Sequence, residues 1–252
     1  ESHDLGPRTA WRQAVKGAVV PRLLRAAANV LVVGSAARES VTARGATSVR
    51  RFANTIDVAA WTARAQSLER KRADDDVVVL SVARLVPDKG IDDLIRALAE
   101  TGDARFRLVV AGDGPEREAL MQLAAVLGVR LTILGHIAEA ELAQLYVDAD
   151  VFALLSRHEP WGVAVNEAAA SGLPLLLSDR VGAASDLLAA ERNGFLVPAG
   201  DIQEAAAVLK LLAADPALRH ALGARSPELV RDWNYETSVD NFVAAVREAA
   251  SR

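Results

Sequence analysis

Two pairs of charged residues carry types and spacings that could do chemistry. Glu159 and Glu167 lie eight positions apart in "SRHEPWGVAVNEAAASG", and Arg84 and Lys89 lie five apart in "ARLVPDKG". Ionised carboxylates only accept hydrogen bonds, so they suit hydroxyl groups; guanidinium and ammonium groups suit an anion such as a phosphate. In the first stretch Pro160 and Trp161 bring the chain round, Gly162 falls where a helix begins, and Glu167 falls nearly two turns into it. A glycine there lets backbone N–H groups approach an anion closely, and the helix dipole adds about 0.3–1 kcal/mol in its favour. A carboxylate at either end brackets that anion, which suits a sugar joined through a diphosphate to a ribose. Each pair taken alone also reads as ordinary surface charge, so the elements around them must supply the specificity.

Those elements are regular. From residue 77 apolar runs alternate with Ala-rich helical segments: "VVVLSVA" (77 to 83), "FRLVVAG" (106 to 112), "VRLTILG" (129 to 135), "VFALL" (151 to 155), "PLLLS" (174 to 178) and "GFLVP" (194 to 198). Continuous apolar strands separated by helices of ten or more residues predict an α/β fold with a parallel, doubly wound sheet covered on both faces. The alternation ends near residue 212, and helices over 201–213, 215–224 and 234–250 finish the chain. In such a sheet ligands bind beyond the carboxyl ends of the strands. The Arg84 and Lys89 loop follows the first run and the Glu159 turn follows the fourth, so both lie at that end. "AGDGPEREAL" after the second run imitates a dinucleotide fingerprint, but Arg117 stands at its third glycine position and Asp113 and Glu116 would repel a pyrophosphate. "DAD" (148 to 150) precedes a strand, at the opposite end, and reads as a helix-to-strand turn with no metal implied.

The first sixty residues read as a helix (9 to 28), a strand (29 to 33), a helix (36 to 43) and a strand (48 to 52), and the polar stretch 63–76 as a helix and then a linker. Two strands and two helices do not make a sheet covered on both faces. Either a larger sheet precedes them, a reading that the non-methionine first residue Glu1 favours, or they pack as an appendage; exposed apolar surface over residues 9–52 is expected. In the first helix Trp11, Val15, Val19 and Leu23 form a stripe flanked by Arg12, Lys16, Arg22 and Arg25, with Pro21 interrupting it. Two readings stand: peripheral contact with an acidic membrane, or packing on a sheet.

Composition narrows the classes. With 51% hydrophobic and 25% charged residues the chain is a folded protein and not a disordered one. A net charge of −4 gives no mark of a nucleic-acid binder, so any anion site must be local. The absence of cysteine removes disulfides, thiolate metal sites and cysteine nucleophiles, and agrees with a reducing, cytoplasmic setting. Four histidines with no HxxxH pair offer zinc little.

Taken together, Glu159-Pro-Trp-Gly-Val-Ala-Val-Asn-Glu167 with the "AAASGLPLLLSDRVGAASDLL" after it, "VARLVPDKG", "NTIDVAAW" (54 to 61) and "DWNYETSVDNF" (232 to 242) resemble the retaining glycosyltransferases of the GT-B architecture, in the group called family four or group one. The resemblance covers nearly the whole chain. It implies a remnant of an N-terminal, acceptor-side Rossmann-like domain over 1–57, an interdomain helix and linker over 58–76, a nucleotide-sugar-binding Rossmann-like domain over 77–232 and a C-terminal helix over 233–252. It implies transfer of a sugar, with retention and without a metal or cofactor, from a UDP- or GDP-linked donor to a glycan or lipid-linked acceptor, in the cytoplasm or at the inner face of the membrane. Arg84 and Lys89 would neutralise the leaving diphosphate. Glu159 would contact the transferring sugar, Trp161, Gly162 and Val163 would offer backbone groups, Glu167 would bind the ribose, and His136 and Ile137 would flank the base. His3 in "SHDLGP" either matches the family's acceptor-side histidine or is a loose terminal residue. Two departures are visible: Ala83 stands where the family commonly has Gly, and Thr55 replaces the Gly of the interdomain turn, so that turn is expected to differ in shape. Sugar-nucleotide epimerases share the architecture, and a chain lacking the acceptor half would be a binding module; both stay open as alternatives.

Overall fold

The computed structural model describes residues 7–71 and 75–251, with side chains from residue 17 onward except that of Ala140. The chain divides into two compact units, one comprising Asn54–Tyr235 and the other the stretch up to Ala53 together with Glu236 onward. His3 lies outside the described residues, as do the side chains of Trp11, Arg12, Val15 and Lys16.

The smaller unit begins with helix α1 (Pro7–Ala26), strand β1 (Val30–Val32), helix α2 (Ser35–Ala43) and strand β2 (Val49–Arg51). β1 and β2 pair in parallel, Val30 opposite Val49, with α2 as the crossover. The helix expected over 9–28 is α1, and it runs through Pro21. Proline withholds its own N–H, which forfeits one bond to the carbonyl of Gly17 and does not by itself end a helix of twenty residues. Val19 and Leu23 are 43% and 63% exposed, so within this unit these two members of the apolar stripe stay unburied.

The larger unit opens with helix α3 (Val58–Ser67), then β3 (Val77–Val82), a 3₁₀ turn (Pro87–Lys89), α4 (Ile91–Thr101), β4 (Phe106–Ala111), α5 (Arg117–Leu127), β5 (Arg130–Gly135) and α6 (Glu139–Asp148). There follow β6 (Val151–Leu154), α7 (Val163–Ala170), β7 (Leu175–Ser178), α8 (Ala184–Leu187), β8 (Gly194–Val197), α9 (Ile202–Ala214) and α10 (Pro216–Val230). The six strands form one parallel sheet in the order β5-β4-β3-β6-β7-β8. Val79, Leu80, Phe152, Ala153, Leu176 and Leu177 are fully buried, which is why these strands read as unbroken apolar runs. The edge strand β5 alternates instead, with Arg130, Thr132 and Leu134 exposed. α3 starts earlier than the polar stretch suggested because the Asp57 carboxylate caps it, accepting the Ala60 N–H at 2.9 Å. α10 continues beyond residue 224, through Pro227, to Val230.

The chain closes with α11 (Tyr235–Ala250), which from Glu236 on is counted with the smaller unit. There Asn29 donates to the Ala245 carbonyl at 3.0 Å, Arg50 pairs with Glu248 at 3.1 Å and Phe242 meets Phe52 with ring centroids 5.9 Å apart. Both ends of the chain therefore build one unit, a pairing that no local pattern in the sequence announces.

Candidate functional site

The order of the sheet decides where a ligand fits. From β3 the chain winds outward through β4 to β5, then returns to place β6 on the other side of β3 and winds outward again. Between β3 and β6 the loops part in opposite directions, and the crevice beyond their carboxyl ends is the switch point of a doubly wound sheet. The loop after β3 carries Arg84 and Lys89; the loop after β6 carries Glu159.

The two loops meet through a charged contact. Lys89 Nζ donates to Glu159 Oε2, and the two side chains are only 11% and 17% exposed. Glu159 Oε1 accepts the Trp161 N–H at 3.3 Å. Main-chain bonds hold the loops in register, since the N–H groups of Arg157 and His158 both donate to the Asp88 carbonyl, at 2.8 and 3.2 Å. The loop after β7 joins them: the Glu159 N–H donates to the Arg180 carbonyl at 3.1 Å and the Gly182 N–H to the Glu159 carbonyl at 2.9 Å. Arg84 is exposed in the same loop as Lys89 and has no ion pair among the described residues.

The imitation fingerprint proves to be a support for that loop. A Cβ on Gly112 would stand 1.8 Å from the Ala83 carbonyl oxygen, and its φ of 153° belongs to glycine. The close approach lets the Leu85 N–H donate to Asp113 O at 3.0 Å and the Glu116 N–H to Leu85 O at 3.1 Å; with the Ala83 N–H on Ala111 O at 3.1 Å, the backbone is pinned on both sides of Arg84. The aspartates of "DAD" likewise serve the other end of the sheet. Asp148 accepts the Lys71 N–H and Asp150 the Val78 N–H, each at 2.8 Å, and Arg70 reaches Asp150 at 2.8 Å.

Helix α7 starts beside the Glu159 turn. Gly162 precedes it in a left-handed conformation (φ 94°) with no side chain capping the helix, and Val163 is its first residue. The unpaired N–H groups of such a first turn attract anions. Trp161 behaves differently from its neighbours. Its N–H goes to Glu159, its carbonyl accepts from Ala183 at 2.9 Å, and its ring is 3% exposed, stacked on Trp233 at 4.6 Å with Nε1 donating to Asn166 at 3.0 Å. Both backbone groups of Trp161 are thus used within the protein, which leaves Gly162 and Val163 as the donors of this turn. Thr55 belongs to the same buried network, donating to the Trp233 carbonyl and accepting from Asn166 at 3.4 Å. It is absent from the positive-φ residues, as expected of a β-branched side chain.

Glu167 faces a cleft of about 540 Å³, lined also by His136, Ile137, Glu139, Trp61 and Arg64. The sequence points to the first three of these six; Trp61 and Arg64 come from α3, whose part in the cleft the sequence does not announce. Tyr146, also missed, donates to Glu167 Oε2 at 2.7 Å and stands edge-on to Trp61 with centroids 5.9 Å apart. Burial raises the Glu167 carboxyl above its ordinary value of 4.5; the Tyr146 hydrogen bond opposes this and the nearby Glu139 charge adds to it. The folded state therefore holds this proton more tightly than the unfolded chain. The associated stability is present in full below the ordinary value and is lost as pH rises through the raised one. Glu167→Gln is accordingly expected to melt at a higher temperature than the native chain near pH 7, with the gap closing near pH 4; a gap that widens on acidification would contradict the burial of the charge.

Among the described residues no group of three or more His, Asp or Glu side chains is placed to hold a metal ion, and no helix is long and apolar enough to cross a membrane.

These features define a doubly wound α/β protein with an anion-ready turn at its switch point and a cleft that Glu167 on the following helix faces. Comparison with known sequences makes the assignment specific: the chain belongs to the family described as Glycosyl transferases group 1, whose profile matches residues 64–229. It is 35% identical over 217 residues to a GDP-mannose-dependent alpha-mannosyltransferase of Mycobacterium tuberculosis, covering 84% of this chain and 54% of that protein. The structure superposes on sucrose-phosphate synthase from Thermosynechococcus elongatus with a TM-score of 0.77 at 25% identity, covering 98% of this chain and 65% of the other. It superposes on Anabaena HepE in complex with UDP with a TM-score of 0.77 at 24% identity, covering 94% and 68%. The parallel unit is thus of the GT-B type. The chain spans about half the length of the curated relatives it matches.

Proposed function

We propose that this chain is the donor-binding part of a retaining glycosyltransferase, which moves a sugar from a nucleoside diphosphate to a glycan or lipid-linked acceptor without a metal ion. The observation that carries the reading is the convergence of Lys89, Glu159 and the start of α7 at the switch point, beside the cleft that Glu167 faces. In this reading the nucleoside lies in the cleft, its ribose hydroxyls on Glu167 and its base beside His136 and Ile137. The diphosphate lies against Arg84, Lys89 and the N–H groups of Gly162 and Val163, and Glu159 holds hydroxyls of the transferring sugar.

The chemistry follows from where charge develops. As the glycosidic C–O bond to the diphosphate breaks, negative charge grows on the leaving oxygens, and cations and helix N–H groups fixed in advance stabilise it without reorganising. With retention, the acceptor oxygen bonds to the anomeric carbon on the face from which the diphosphate departs. A diphosphate competing for Lys89 also frees Glu159 for the sugar, so donor binding exchanges one ion pair for two new contacts. The family supports transfer as the reaction class, and the relative that uses GDP-mannose supports a GDP-linked donor. We take the stretch up to Ala53 as part of an acceptor-side domain. A second reading, that the chain binds the donor and turns nothing over by itself, is favoured by its spanning about half of its relatives' length.

Calorimetric titration of the 252-residue chain with GDP and with UDP tests the reading. One of the two is expected to bind, GDP the tighter, and binding of neither would overturn it.

A further inference from the structure

Arg157 plays no part in the reading above, yet its guanidinium makes three hydrogen bonds to the segment that carries Lys89. It stands where the chain leaves the buried end of β6. Nη1 donates to the Pro87 carbonyl at 2.8 Å, and Nη2 donates to Asp92 at 2.8 Å and Asp93 at 2.6 Å. With the two main-chain bonds from Arg157 and His158 to Asp88, one short segment grips both flanks of Lys89: Pro87 and Asp88 before it and the first turn of α4 after it. The planar guanidinium reaches a carbonyl and two carboxylates together, which a single ammonium does not.

The partners show what this grip does. Asp93 is 6% exposed, its Oδ2 is buried without a hydrogen bond, and its Oδ1 is held by Arg157 while Arg96 stays at 4.0 Å. Asp92 has Arg96 as well, at 2.6 Å. Without the guanidinium Asp93 would be a buried carboxylate lacking its close cation, a costly arrangement that the start of α4 relieves by moving. Lys89 and Gly90 lie directly before that start, so the movement reaches the ammonium group. The Arg157 side chain bonds to Pro87, Asp92 and Asp93 and to none of the side chains assigned to the donor, so it acts through Lys89.

We propose that Arg157 is a positioning residue that fixes the Lys89 loop against the Glu159 turn and so sets the affinity of the diphosphate subsite, an inference that rests on the donor-binding reading above. A misplacement of about 1 Å can cost about a hundredfold in a catalysed rate, and a residue that acts on a binding group without touching the ligand changes affinity by about tenfold.

The test is calorimetry with GDP and UDP on the full chain and on Arg157→Met, Arg157→Lys, Lys89→Ala and the Arg157→Met/Lys89→Ala pair, with guanosine and uridine titrated by NMR. Arg157→Met should weaken binding of the preferred diphosphate about tenfold and leave the nucleoside affinity unchanged, with Arg157→Lys in between. In the Lys89→Ala background it should add no more than about twofold, because the residue it positions is gone. Diphosphate affinity equal to that of the native chain, full additivity with Lys89→Ala, or a parallel loss of nucleoside binding would each overturn the inference. If Arg157→Met does not fold, Arg157→Lys carries the same comparisons. An effect of Lys89→Ala with none of Arg157→Met sinks the positioning role alone, whereas no effect of Lys89→Ala sinks the reading beneath it.

Discussion

Lys89→Ala in the full-length enzyme should lower kcat/KM by about a hundredfold, the scale of about 2.7–4 kcal/mol seen when one preorganised donor is removed from a transition state. The reasoning begins with its burial: Lys89 is 9% exposed, which is rare for a lysine unless it is paired, and its partner is Glu159. An ammonium already drawn out of water by its surroundings pays less to meet a diphosphate than a solvated one does. The same substitution leaves Glu159 with one weak bond, from the Trp161 N–H at 3.3 Å, and some loss of stability accompanies it. Melting curves beside the kinetics separate the two effects. A rate unchanged by Lys89→Ala would dismiss the diphosphate role.

Gly90→Ala should be strongly damaging for so small a substitution. Gly90 has φ 61° and ψ 28°, left-handed values that a side chain resists by about 1–2 kcal/mol. Its would-be Cβ stands 2.1 Å from the Leu155 carbonyl oxygen at the end of β6, so the loop must also lift away, which adds about 1–3 kcal/mol of overpacking. Gly102 is the internal control, with φ 65° and open space around its Cβ position, so Gly102→Ala should show the conformational cost alone. Calorimetry should find Gly90→Ala melting about 10 °C below the native chain and Gly102→Ala only a few degrees below. Equal melting points for the two variants would mean that the Lys89 loop is not packed against β6 as described.

The sequence made the sheet legible because β3, β6 and β7 are buried on both faces and so read as unbroken apolar runs. The ends of helices were less legible. The helix expected over 215–224 continues to Val230, because Pro227 forfeits one bond without ending it, as Pro21 does in α1. The start of α3 carried a usable signal, Asp57 three residues before Ala60, which was read as part of a turn. In the candidate site, local spacing in the sequence suggests Arg84 with Lys89, and Glu159 with Gly162 and Glu167. What escaped was assembled across the sheet. Arg157 is 70 residues from Pro87, and Tyr146 is 21 from Glu167, and neither distance leaves a periodic trace. The buried ring of Trp161 was equally hidden, since its partner Trp233 arrives only with the end of α10.

The most direct test of the account is a crystal structure of the chain with GDP or UDP bound. Lys89 Nζ should have left Glu159 for a phosphate oxygen, with that diphosphate against the start of α7 and ribose hydroxyls on Glu167. A nucleotide seated elsewhere, with the pair between Lys89 and Glu159 intact, would contradict it.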